Sequence, residues 1–479
     1  MDKRKLELVT DFYEFTMSNG FFAKNMKDTI TYFDVFFREI PDNGGYVIFA
    51  GLEQIIDYVR NLKFDNEDIN YLKNKNIFSD EFLEYLRNFK FTGTIWAIPE
   101  GTVVFPNEPL ITVKAPIIEA QILETAMLCL INHQSLIATK SSRIVNAAKG
   151  RPVMEFGARR AHSVDAAVFG ARAAIIGGCI GTSCTLTAKE WNVPASGTMA
   201  HSFIQAFDSE YEAFKAYAEN YPNDCTLLID TYDTLNSGIK NAIKVFNEVL
   251  VPNGYRPKAV RLDSGDLSYL SKKIRTILDE AGFEDCKICG TNALDEYVIS
   301  SILEEGAKID LFGVGESLIT AKSNPVFGGV YKLVALEKEG KIVPKIKISN
   351  NIIKITNPGF KKVYRFYDKS TNKALADVIT LNDEIIPENE YTIFDPASPW
   401  KKKTLTNYTV RPLQELIFDN GNLVYNSPNL TTIAGNSKKE LDTLWDEVKR
   451  IKNPHKYYVD LSQKLWDLKN ELLENSKNI

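Results

Sequence analysis

Between residues 150 and 320, short apolar runs alternate with helical stretches at intervals of about 25–30 residues. No other feature restricts the possible folds of this chain as much. Strands are expected at Pro152–Phe156, Thr226–Asp230, Lys258–Leu262, Lys287–Gly290 and Ile309–Phe312. Helices are expected over Ser237–Leu250, from Asp266 to about Ala281, and after Asn292 and Ser317. Such alternation builds βα units on a parallel sheet. Each strand runs into polar or glycine-bearing sequence (EFGAR, DTYD, LDSGD, GTN, FGVGES). In a βα barrel the C-terminal strand ends form the working rim, and the unusual residues of all five units fall there.

The flanks read differently. Residues 1–125 mix short strands (Thr29–Arg38, Gly93–Ala97, Leu110–Val113) with helices, and residues 330–400 return to strands at Tyr331–Glu337 and Lys345–Ile355. The expected architecture is α/β, an irregular parallel βα barrel over 126–329. A β-rich α+β domain built from N- and C-terminal segments flanks it, with 330–479 supplying the return and a helical end over Ser437–Asn478. The charge balance of 57 basic against 62 acidic residues gives no reason to expect nucleic acid or an anionic membrane as partner. The start, MDKRKLELVTDFYEF, lacks an apolar signal core, and the apolar stretch Ala173–Ala188 is broken by glycines. A cytoplasmic protein is expected. The pair Cys286 and Cys289 has no second C-x-x-C to complete a zinc site, so these cysteines read as structural thiols on a strand.

One of only four histidines, His201, stands directly before an expected helix. Ser202 and Gln205 read as a capping box, with Phe203, Phe207, Phe214 and Ala218 as the apolar face. Unpaired N–H groups at such a helix start suit an anion, including a phosphoryl group on the imidazole. The alternative is a histidine that merely helps to cap the helix. Arg159, Arg160 and Arg261 follow or end strands, where guanidinium groups grip carboxylate or phosphate bidentately. For Arg160 a plain surface salt bridge is the simpler reading. Gly313 and Gly315, with Thr320 beyond, lie where this architecture holds phosphate. Asp263 and Asp266 suit sugar hydroxyls or hydrated Mg²⁺. Asp230 and Asp233 form a weaker pair, one of which can simply start a helix. Together these residues imply a phosphorylated sugar.

Six segments in order then carry a resemblance: Thr10–Tyr13, Glu155–Arg160, Gly181–Ser183, Gly197–His201, Arg261–Asp266 and Gly328–Val334. They resemble the nicotinate phosphoribosyltransferase family from about residue 6 to 335. The resemblance implies condensation of nicotinate with phosphoribosyl pyrophosphate to nicotinate mononucleotide and pyrophosphate, the first step of NAD synthesis from nicotinate. It also implies ATP as co-substrate, through a phosphorylated histidine at His201, and Mg²⁺ as cofactor. Asp263 and Arg261 then belong to the catalytic set. Tyr13, Phe156, Arg159, Ser183, Thr198 and Arg261 are the implied nicotinate contacts. Arg38, Asp266, Gly290, Thr291, Gly313, Gly315 and Thr320 are the implied phosphoribosyl and phosphate contacts. Tyr13 and Arg38 would come from the second subunit of a homodimer, making the site composite.

The related nicotinamide enzyme has an aspartate where this chain has Ser183. A carboxylate there accepts from an amide but repels a carboxylate, so Ser183 points to nicotinate. The rival readings are a nicotinamide phosphoribosyltransferase, a quinolinate enzyme, a lysine-dependent aldolase barrel and a non-catalytic phosphosugar-binding barrel. The rim has no lysine for an aldolase, and His201, Arg261 and the SGD carboxylates are all retained. No cysteine follows Cys289, so no structural metal is expected near the C-terminal end.

Overall fold

The computed structural model describes residues 5–475. The chain divides into two compact units. One comprises the residues up to 136, 326–428 and those from 435 onward; the other comprises 137–325 with 429–434.

The second unit is built on a parallel sheet. From one side to the other its strands are Val153–Glu155, Leu311–Val314, Lys287–Gly290, Ala259–Leu262 and Thr226–Leu228. Beyond Val153–Glu155 two single parallel bridges, Glu155 to Thr182 and Thr182 to Ala195, carry the sheet on. After the last strand, at the opposite side, His201 hydrogen-bonds Thr231, so the segment 195–201 links the two sides into an irregular ring. Strand residues Leu227, Val260, Leu262, Ile288, Phe312 and Val314 are fully buried, as parallel strands covered on both faces require. Rim residues also start the helices. Ser163 caps Val164–Ile176, Asp266 caps Leu267–Glu280 and Asp295 caps Glu296–Glu304 through their side-chain oxygens.

The other unit holds a seven-stranded sheet that mixes both ends of the chain. Its order is Lys341–Pro344, Val330–Lys338, Ile30–Phe36, Ile111–Pro116, Thr94–Ala97, Glu415–Asp419 and Asn422–Leu423. A four-stranded sheet adds Tyr408–Pro412, Lys361–Asp368, Ala374–Leu381 and Val459–Leu461. On its strand Lys361–Asp368, Arg365 is wholly buried. It is bonded to both oxygens of Asp377 at 2.8 and 2.6 Å, to Glu440 at 2.9 Å and to the Val103 carbonyl at 2.8 Å. Among the described residues no helix is long and apolar enough to cross a membrane.

Several local expectations need correction. The helix after His201 is two helices, His201–Gln205 and Glu210–Asn220. No capping box forms at Ser202: the N-cap is Ala200, and the side-chain cap belongs to Ser209, which accepts from Glu212 N–H at 3.2 Å and restarts the helix. The last barrel strand runs Leu311–Val314 rather than Ile309–Phe312, because the Ile309 carbonyl is taken by Arg151 at 2.8 Å. Lys345–Ile355 is not a strand. Ser349 and Asn351 side chains accept from nearby backbone N–H groups, and such local bonds compete with a sheet ladder. The C-terminal stretch includes the strand Val459–Leu461 between helices Asp446–Lys449 and Gln463–Asn475; its last residues, 476–478, lie outside the described residues.

Candidate active site

Arg261, on the strand Ala259–Leu262, organises the centre of the rim. Its Nε donates to Thr291 at 3.1 Å, and Nη1 donates to Thr198 Oγ1 at 3.1 Å and to the Met199 carbonyl at 3.2 Å. Nη2 donates to Asp263 at 2.9 Å. One fork therefore joins three rim segments, and its side chain is only 13% exposed. Two strand ends and the segment before His201 are fixed together in this way.

Asp263 faces both ways. Oδ1 is bonded by Arg261 and by the Thr291 hydroxyl, while Oδ2 lies 3.7 Å from Nε2 of His201. Burial pushes the Asp263 carboxyl upward, but the Thr291 hydroxyl and the Arg261 charge outweigh it and hold the group below the usual carboxylate range. Its backbone N–H and the Ser264 hydroxyl both donate to Oδ2 of Asp230, at 2.9 and 2.6 Å. The other Asp230 oxygen is buried without a hydrogen-bond partner. His201, 39% exposed, is held on its other nitrogen by Thr231 Oγ1 at 3.1 Å. Its ring is thus held through Nδ1 at the first turn of a helix, with Nε2 turned toward the Asp263 carboxylate.

A second group lies around Phe156 and Ser183. The Phe156 N–H donates to the Val314 carbonyl at 2.8 Å, and a Cβ on Gly313 would stand 2.5 Å from the Phe156 ring. Glycine is required there because the ring occupies the space. Ser183 is exposed, and its N–H donates to the Glu155 carbonyl at 2.8 Å. Arg159 and Thr320 line one cavity of about 590 Å³ with Arg160, His162, Glu316 and Lys322. Arg160 makes the simple surface pair, 3.1 Å from Glu316. Gly290 ends its strand next to buried Thr291, and Gly315 precedes the short helix Glu316–Ile319.

Two acidic side chains have local work. Asp266 accepts from Tyr269 N–H at 2.7 Å, leaving its second oxygen for other contacts. Asp233 accepts from Leu235 and Asn236 N–H at 3.1 and 2.9 Å, so it starts the following helix. Tyr13 and Arg38 belong to the other unit. Tyr13 is 47% exposed on the helix Phe12–Ala23, and Arg38 donates to the Ile353 carbonyl at 3.0 Å. Sequence reading missed Thr231, Glu155 and Thr182. Each sits inside a motif already noticed (DTYD, EFGAR, GTS), beside a residue that drew more attention.

The fold and this rim define an α/β enzyme with its working residues at the C-terminal ends of parallel strands. Three family models match: the nicotinate phosphoribosyltransferase N-terminal domain over residues 8–132, the family itself over 152–381 and the C-terminal domain over 360–469. The nicotinate phosphoribosyltransferase of Bacillus subtilis is 45% identical over 476 residues, covering 99% of this chain and 96% of the relative. That of Caenorhabditis elegans is 33% identical, covering 98% and 94%. The crystal structure of human nicotinic acid phosphoribosyltransferase superposes with a TM-score of 0.84 at 28% identity, covering 97% of this chain and all of that one. The chain belongs to the nicotinate phosphoribosyltransferase family, whose members are phosphoribosyltransferases.

Proposed function

We propose that this chain joins nicotinate to phosphoribosyl pyrophosphate, giving nicotinate mononucleotide and pyrophosphate, and couples the reaction to ATP hydrolysis through phosphorylation of His201. The observation that carries this reading is the joint Asp263 makes between His201 and the Arg261 fork. The station that receives phosphate thereby shares a carboxylate with the group that holds the substrate.

The pyridine nitrogen of nicotinate carries no proton at neutral pH, so its attack on the sugar C1 needs no general base. Pyrophosphate departs as the C–N bond forms, and catalysis is positioning plus stabilisation of the leaving group. Arg261 and Thr198 receive nicotinate beside Phe156, and Ser183 donates to its carboxylate. Arg159 adds a further cation for that carboxylate, and Thr320, with Gly290, Thr291, Gly313, Gly315 and Asp266, serves the phosphoribosyl end. In the coupling step Asp263 keeps the imidazole proton on Nε2. The Nδ1 lone pair, released by the Thr231 hydroxyl that holds the ring, attacks the γ-phosphorus and ADP leaves. Water later cleaves the P–N bond.

Mg²⁺ is the cofactor of this reading. Among the described residues no cluster of three metal-ligating side chains exists, so the ion would be held chiefly by substrate phosphates. The unpartnered buried oxygen of Asp230, beside Asp263, fits the water shell of such an ion. Asp263 and Asp266 would hold it through water, and when bound it neutralises pyrophosphate charge. The helix Phe12–Ala23 buries Glu14 and Ser18 with Phe15, yet exposes Phe12, Tyr13 and Met17, continuing the exposed Leu8 and Val9. That inverted pattern supports a homodimer in which a second copy brings its Tyr13 and Arg38 to the pocket. The setting is cytoplasmic. Incubation with γ-phosphate-labelled ATP tests the reading: label on wild-type protein that the His201→Ala variant does not take up supports it, and equal label on both contradicts it.

A further inference from the structure

Glu155 is the last residue of the strand Val153–Glu155 and is completely buried. A carboxylate without solvent is costly unless each oxygen finds a donor. Here one oxygen accepts from the Gly157 N–H and the other from the Thr182 hydroxyl at 2.6 Å. Thr182 Oγ1 accepts in turn from the Cys184 N–H at 2.9 Å. The main chain repeats the connection. Glu155 N–H donates to the Gly181 carbonyl at 3.0 Å, and its own carbonyl accepts from Ser183 N–H at 2.8 Å. Thr182 also donates to the Pro194 carbonyl at 3.1 Å and accepts from Ser196 N–H at 2.9 Å. The turns bearing Phe156 and Ser183 therefore meet at one carboxylate and one hydroxyl, and the Thr182 main chain ties in the segment leading to Thr198.

We propose that Glu155 is a positioning residue for the pyridine pocket, setting through Thr182 the distance between the Phe156 ring and the Ser183 hydroxyl. The inference rests on the reading above that those two side chains contact the base. The surroundings leave the Phe156 turn little other freedom. A Cβ on Gly157 would lie 2.5 Å from Ile319, and the Gly313 backbone backs the ring. The clamp is the adjustable element between two fixed walls. Neither the Glu155 carboxylate nor the Thr182 hydroxyl bonds Arg261, Asp263 or His201, and the link toward Thr198 runs through the Thr182 main chain, so removing the side-chain bond acts on the base and leaves the phosphoryl station in order.

Thr182→Val keeps the shape of the side chain and removes the hydroxyl; Thr182→Ser keeps the hydroxyl. Steady-state kinetics with each substrate varied, γ-phosphate labelling of His201 and melting temperature are measured together for both variants and for Glu155→Gln. The expected result for Thr182→Val is a KM for nicotinate raised about tenfold, equivalent to about 1.4 kcal/mol. The KM for phosphoribosyl pyrophosphate and the labelling of His201 stay near wild type. Thr182→Ser restores the wild-type KM, and Glu155→Gln falls between the two. Equal rises in both KM values, a lowered melting temperature with unchanged KM values, or a serine variant as impaired as the valine one would overturn the clamp. Wild-type protein that does not turn over nicotinate removes the base pocket itself and the clamp with it; wild-type turnover with unsplit KM values removes the clamp alone.

Discussion

Nε2 of His201 lies 3.7 Å from Oδ2 of Asp263, while the other oxygen of that carboxylate is bonded by Arg261 at 2.9 Å. Energy coupling and substrate binding therefore converge on one side chain. His201→Ala is expected to lose all dependence of rate on ATP yet retain slow phosphoribosyl transfer, because the Arg261 fork survives. Asp263→Asn, which removes the charge opposite Nε2, is expected to slow phosphorylation of His201 about 100-fold. Single-turnover labelling set beside product formation checks both.

Arg261 bonds four groups in three directions. Lysine carries a point charge and cannot reproduce a planar fork. Arg261→Lys is expected to lower kcat/KM for nicotinate by about 10²- to 10³-fold with little change in melting temperature, read by steady-state kinetics and thermal denaturation.

Ser183→Asp reverses the choice of base. A carboxylate at that exposed turn repels nicotinate and accepts from the amide of nicotinamide, a change worth about 10³ in discrimination. Competition between the two bases, followed as the ratio of mononucleotide products, measures it.

Glu14 gives a pH dependence. Burial, partly offset by the Thr125 hydroxyl, pushes its carboxyl from 4.5 to about 8. Below the unfolded value both states hold the proton and stability is unaffected. Between the unfolded value and about pH 8 the unfolded chain has lost a proton that the folded chain keeps, so stability falls as pH rises through that window. Glu14→Gln removes this loss. The variant is expected to melt higher than wild type at pH 8, with the difference vanishing as the pH is lowered toward 4.5.

Much of this was legible in the sequence because it depends on short-range pattern. The strands Lys287–Gly290 and Ala259–Leu262 follow from apolar runs with polar ends, and Arg261 and Asp263 follow from lying on and directly after one of them. The partners of a site residue are less legible, since they come from distant chain. Thr231 reaches His201 across 30 positions and Thr182 reaches Glu155 across 27, separations that no local period encodes. The helix after His201 misled because its apolar spacing continues through Asp208 and Ser209, where a side-chain cap restarts the helix. The buried Arg365 group was invisible for the same reason, as it gathers Val103, Asp377 and Glu440.

That group supplies a stability prediction. Beside it, burial and the neighbouring Asp377 push the Glu108 carboxyl well above its ordinary value, which favours its protonated form, and Glu108→Gln is expected to be tolerated. Arg365→Met leaves Asp377 buried without its cation and is expected to cost about 3–5 kcal/mol, measured by denaturant unfolding.

The most direct test of the account is mononucleotide formation from phosphoribosyl pyrophosphate with nicotinate and with nicotinamide, each with and without ATP. The account predicts turnover of nicotinate that ATP accelerates, with nicotinamide turned over about 10³-fold less well. Comparable turnover of nicotinamide, or nicotinate turnover indifferent to ATP, would contradict it.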